Sequence, residues 1–156
     1  MAHALFANQR ESNLASTVAL VEAVLGELGH DAAESRASAG NALHAWQVRK
    51  GSALTTVSLI NRTEFTHLRV CSTVMTVDDR VDRAALNAHL LALNGSLCGA
   101  AFATEGEQVL LLAERSTLDL DRSEVRELIR RVTTYADDHD DALVAKFGGK
   151  MGAPVR

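Results

Sequence analysis

Between Ala42 and Val77 the sequence holds three runs with a side-chain period of two, separated only by short polar turns. Ala42 to Val48 is the first, with Trp46 as its bulky residue, and Lys50-Gly51-Ser52 is the turn that follows. Ala53 to Ile60 is the second. Leu54, Thr56, Ser58 and Ile60 share one face there, and Thr55, Val57 and Leu59 the other. After a polar turn at Asn61 to Glu64, Phe65 to Val77 forms the third run. It places Leu68, Val70 and Val74 on one face and His67, Arg69, Cys71 and Thr73 on the other. Connections this short exclude parallel pairing, which needs a crossover of about a dozen residues. The three runs therefore form an antiparallel meander.

Helical spacing flanks the meander. Leu14, Val18, Val21, Leu25 and Leu28 recur at steps of three and four, which predicts an amphipathic helix over 12–28. Ser12 or Asn13 caps its start, and Gly29 suits a left-handed end. Past the meander, Asp79 or Asp82 opens a second helix with the stripe Leu86, Leu90, Leu93 and Leu97, and Asn94-Gly95 stops it. Cys98 to Thr104 and Gln108 to Ala113 read as a hairpin closed by Glu105-Gly106-Glu107. Asp121 with Glu124 resembles a capping box for a last helix, striped by Val125, Ile129, Val132, Tyr135 or Ala136, Leu143 and Phe147, and ended by Gly148-Gly149. The order is α-β-β-β-α-β-β-α. Such blocks, without regular βαβ alternation, define an α+β fold with helices against an antiparallel sheet. A single domain is expected over 12–149, with a flexible leader at 1–11 and a flexible tail at 150–156.

A chain of 156 residues, 47% hydrophobic and 23% charged, can bury a sizeable core without metal or disulfide. Its formal charge is −4, from 20 acidic and 16 basic residues, and no basic block exceeds Arg130-Arg131. That argues against nucleic acid as a partner. Two cysteines, Cys71 and Cys98, make no disulfide framework and lack metal spacing. The first residues show no charged segment followed by an apolar one, and no apolar run spans a bilayer. A soluble, cytoplasmic protein with reduced thiols is expected.

Catalytic signatures are missing from the sequence. Gly95-Ser96-Leu97-Cys98-Gly99 has the wrong spacing for a nucleophile elbow and leads from a helix into a strand. There is no phosphate-cradling glycine motif. His44, His67 and Cys71 are residue types that suit zinc, but their spacing does not force them together; no metal, cofactor or enzymatic activity is expected. Asp137-Asp138-His139-Asp140-Asp141 is the oddest stretch, because carboxylates late in a helix oppose its dipole. A solvated face is its ordinary reading. The sharper one gives Asp137, Asp138 and Asp141 to a basic partner segment.

Four stretches, in order, resemble the YbjN family, which is similar in fold to the type III secretion chaperones. They are Trp46 with Arg49-Lys50-Gly51-Ser52-Ala53, Leu90 to Asn94, Gly99 to Ala103, and Ala136-Asp137 through Leu143 to Phe147-Gly148-Gly149. The resemblance implies a non-catalytic, chaperone-like domain that holds a segment of a partner protein, often as a homodimer and without a cofactor. A regulatory subunit acting on an enzyme or a transcriptional response is the alternative. By the same resemblance the central helix is the element expected to pair two copies. Candidate interface residues are thus Leu86, Leu90, Leu93, Leu97, Trp46 and Phe65, together with the three aspartates; the leucine stripe serves equally as core.

Overall fold

Alternation along the strands decides which side chains meet the helices, and the turns decide how the strands lie. The computed structural model describes residues 2–62 and 65–152, with side chains from residue 11 onward. Its elements are α1 (Ala2–Glu27), β1 (Arg36–Ala37), β2 (His44–Lys50), β3 (Ala53–Asn61), β4 (Thr66–Thr76), α2 (Arg83–Asn94), β5 (Ala101–Glu105), β6 (Gln108–Ser116), α3 (Arg122–Phe147) and β7 (Lys150–Met151). The expected order is present with two short strands added. Seven strands form one antiparallel sheet in the order β1-β2-β3-β4-β6-β5, and β7 pairs with β4 off this path.

Two-residue turns set the register of both hairpins. Gly51 and Ser52 join β2 to β3, and Gly106 and Glu107 join β5 to β6. Gly51 and Gly106 have φ of +54° and +58°, which glycine adopts without strain. The resulting parity sends Trp46, Val48, Val57, Leu59, Leu68, Val70 and Ala113 to one face, where Val21, Val24 and Leu25 of α1 and Val125, Ile129 and Val132 of α3 cover them. A second cluster continues on the same side. There Met75, Phe102, Val109 and Leu111 meet Leu86 and Leu90 of α2 and Ala136 and Leu143 of α3. A bulge between Thr73 and Met75 shifts the inward parity of β4, so Met75 is fully buried. All three helices cover one side of the sheet; among the described residues no helix covers the other, where Thr56, Ser58, Cys71 and Leu110 are nonetheless only 6%, 6%, 8% and 3% exposed.

The caps of α2 and α3 follow the sequence, whereas Ser12 and Asn13, the expected caps of the first helix, lie inside α1. Asp82, rather than Asp79, accepts hydrogen bonds from the N–H groups of Ala84 and Ala85. Asp121 and Glu124 form both arms of a capping box, at 2.9 and 3.0 Å. Two boundaries need correction. α1 begins at Ala2, ten residues before the expected start, so most of the anticipated leader is helix; Ala, Leu, Gln, Arg and Glu dominate that stretch, and such residues extend an existing helix readily. Within the anticipated tail, Lys150 and Met151 pair with Thr76 and Met75, whereas Met1 and residues 153–156 lie outside the described residues.

The acidic stretch of α3 has a structural task. Ser52 donates its backbone N–H to Asp137 Oδ1 at 3.1 Å and its hydroxyl to Asp140 Oδ2 at 2.7 Å. Asp140 is only 3% exposed. A Cβ on Gly51 would collide with the Asp137 carboxylate, and Lys50 Nζ donates to Thr134 Oγ1 at 2.6 Å. The β2–β3 turn is thus latched onto α3. A hydrogen bond to a charged, buried acceptor contributes about 1.5–3 kcal/mol. We expect Asp140→Ala to cost about 2–3 kcal/mol and Ser52→Ala about 1–2 kcal/mol in urea denaturation. The double variant should cost at least about 1 kcal/mol less than their sum; strict additivity would show that no latch exists.

Candidate partner-binding surfaces

The bare side of the sheet is where β3, β4 and β6 present their outward parity. Cross-strand register brings Thr56 beside Cys71, Ser58 beside Arg69, and Ile60 beside His67. On the next strand Arg69 lies beside Glu114, Cys71 beside Leu112, and Thr73 beside Leu110. Of these, Thr56, Ser58, Ile60, Arg69, Cys71 and Leu110, with Arg62 just past β3, Ala39 to Asn41 from the β1–β2 loop, and Glu105 and Gln108 beside the β5–β6 turn, shape a groove of about 390 Å³. Its floor is mixed. Ile60 and Leu110 supply apolar surface, Thr56 and Ser58 hydroxyls, and the backbone beneath is already paired in the sheet.

One ion-pair network sits at the groove. Arg62 grips Glu114 with two bonds of 2.7 Å, from Nε and NH2, and Arg69 adds a third at 3.0 Å. The hydrogen bond from Arg62, followed by that from Arg69, holds the Glu114 carboxyl below the usual carboxylate range against the opposing pull of partial burial. Glu114 therefore stays ionised and its guanidiniums stay placed. Burial pushes the Cys71 thiol upward, with Arg69 opposing, so Cys71 is a protonated thiol at neutral pH and a poor nucleophile. Cys98 is exposed.

The residues singled out from sequence part company. Leu86 and Leu90 are 1% and 4% exposed, and Leu93 and Leu97 pack on the same cluster; that stripe is the protein's own core. Trp46 is fully buried beneath α1 and α3, with the Arg36 guanidinium 4.6 Å above its ring. It cannot touch a partner, because the inward parity of β2 carries it to the covered face. Phe65 is 48% exposed at the turn before β4. Asp137 faces inward to Ser52, which removes it from the acidic partner patch, and only Asp138 and Asp141 face outward. His44 bonds Arg36 on the covered side, while His67 and Cys71 lie on the bare side. Among the described residues no cluster of three metal-ligating side chains exists.

Sequence reasoning missed Ser52, Asp140, Arg62, Glu114 and Asn94. Asn94, the last residue of α2, accepts the N–H of Phe102 at 2.7 Å and donates to its carbonyl at 3.2 Å. It closes the outer edge of β5 at that residue. On α2, burial of the leucine stripe leaves Ala84, Ala88, Leu91 and Ala92 outward, and Leu91 is 72% exposed. Three further exposed apolar residues, Leu43, Phe65 and Leu118, lie at the sheet end where β2 and β4 begin and β6 finishes. No helix among the described residues is long and apolar enough to cross a membrane.

Comparison with known proteins gives this surface a context. No curated protein matches the chain in sequence. Among solved structures, a chain of the ExsC–ExsE complex is similar, with a TM-score of 0.55 and 14% identity over 83% of this chain and 94% of that one. At that identity the likeness shows the fold alone. The model of the family TY-Chap1, described as "T3SS (YopN, CesT) and YbjN peptide-binding chaperone 1", matches residues 15–154. The match spans nearly the whole domain, so the chain belongs to this family of peptide-binding chaperones.

Proposed function

We propose that the protein is a non-catalytic, cytoplasmic chaperone that holds an extended segment of a client along the bare face of its sheet. The observation that carries this reading is the one-sided covering: three helices on one side, and on the other a groove with a mixed apolar and hydroxyl floor and fixed charges at its rim. Thr56, Ser58 and Gln108 offer hydrogen bonds to an extended backbone, while Ile60 and Leu110 accept apolar side chains. Arg62 and Arg69, locked by Glu114, recognise without rearranging, which lowers the ordering cost of binding. Phe65, with Leu43 and Leu118, extends the apolar surface past the end of the sheet. Client segments captured from native cells, resynthesised as peptides, test this directly. Ile60→Arg should weaken their binding at least about tenfold, with the melting temperature unchanged because Ile60 lies outside the core. Equal affinity in the two proteins would remove the groove from the account.

We further propose a homodimer paired through α2. Ala84, Ala88, Leu91 and Ala92 form an exposed apolar stripe along it, and small residues let two helices approach closely. Two copies packed α2 against α2 would bury Leu91 at the centre of the contact. In light scattering at micromolar concentration the protein should have twice its chain mass, and Leu91→Glu should halve it. A wild-type monomer would contradict the pairing.

A further inference from the structure

The charges around the groove are unevenly presented. The guanidiniums of Arg62 and Arg69 share one carboxylate, that of Glu114. The two arginine side chains are 48% and 25% exposed, against 19% for Glu114. Both arginines line the groove and Glu114 does not. An occupant therefore meets the cations, while the anion holds them from behind. The three groups together leave one positive charge. Arg62 uses Nε and Nη2 on Glu114, and Arg69 uses Nη1. Nη1 of Arg62, with Nε and Nη2 of Arg69, bonds no other oxygen among the described residues.

The other end of the groove carries the other sign. Arg69 lies beside Glu114 of β6, and the exposed Glu105 lies beside Gln108. Gln108 and Glu114 stand about 20 Å apart along an extended strand. Both charges reach the floor between them: burial pushes the Cys71 thiol up, Arg69 opposes that push and Glu105 adds to it. A carboxylate fits the arginine end, because guanidinium forks hold it with short, charge-assisted bonds. Its single negative charge also matches the single positive one, which a doubly charged phosphate would exceed. A second acid toward Glu105 would meet its own sign.

We infer that the client segment carries an internal Asp or Glu side chain that seats on Arg62 and Arg69, with no second acid toward Glu105. This rests on the bare-face reading and adds the chemistry that the groove selects. The probe is a random dodecapeptide library displayed on phage, each C-terminus joined to the coat protein, panned against full-length protein. The wild type should enrich peptides with one acid among apolar and β-branched residues. Arg62→Glu turns the local charge from one positive to one negative and should switch the preference to Lys or Arg. Arg62→Gln, the milder change, should abolish it. The best wild-type peptide is then made with a fluorescein label and an amidated C-terminus. Replacing its acid by the matching amide should weaken binding at least about tenfold in anisotropy, and high salt should shrink that difference. Peptides that move the methyl signals of Ile60 and Leu110 yet show no acidic preference, or the same preference in Arg62→Glu and Arg62→Gln, overturn the inference and leave the bare-face reading standing. Peptides that bind without moving those signals, or no enrichment at all, overturn both.

Discussion

The long helix α3 is the wall against which the rest of the protein is built. Val125, Ile129 and Val132 close the cluster around Trp46, and Ala136 and Leu143 close the one around Met75 and Phe102. Among the described residues no other helix serves both, although β3, β4 and β6 run through the two. Its dependence on burial is the usual one, since most helix stability in a folded protein comes from an apolar stripe against a partner rather than from propensity. The polar residues of the same helix are also employed. Asp137 and Asp140 hold the β2–β3 turn against the helix.

Covering only one side of a sheet has a consequence for the other. Antiparallel sheets tolerate one face in water when its side chains alternate to polar, and Thr56, Ser58, Arg69 and Glu114 satisfy that condition. Their arrangement departs from a simple solvated face, because Thr56 and Ser58 are each only 6% exposed and lie beside the apolar Leu110 and Ile60. A surface already shielded, partly apolar and fixed by an Arg–Glu–Arg network is pre-ordered to receive an extended chain. Membership of a peptide-binding family is what such a surface leads one to expect.

Much of the architecture was legible because burial enforces parity. Val57, Leu59, Leu68 and Val70 could only face one way together, and a short Gly-Ser turn admits only an antiparallel neighbour. The capping box at Asp121 and the stop at Asn94-Gly95 are local and were readable for that reason. The candidate sites were less so. Ser52 meets its carboxylates across 85 and 88 residues of sequence, and nothing local distinguishes an aspartate that latches a turn from one that faces water. The groove likewise arises from which strands are neighbours: β6, not β5, lies beside β4, and that choice brings Glu114 to Arg69. Leucines at helical spacing were readable as a buried stripe, but the exposed one, Leu91, lay off the stripe and was missed. β1 and β7, at two residues each, are too short to have a period.

The central claim is that an extended client lies on the uncovered face of the sheet. Methyl-resolved NMR of the full-length protein, titrated with a captured client peptide, addresses it most directly. The account predicts that the methyl signals of Ile60, Leu110 and Leu112 move together while those of Val24, Leu25 and Ile129, beneath the helices, stay in place. Movement confined to the helix-covered side, with Ile60 and Leu110 unaffected, would contradict it.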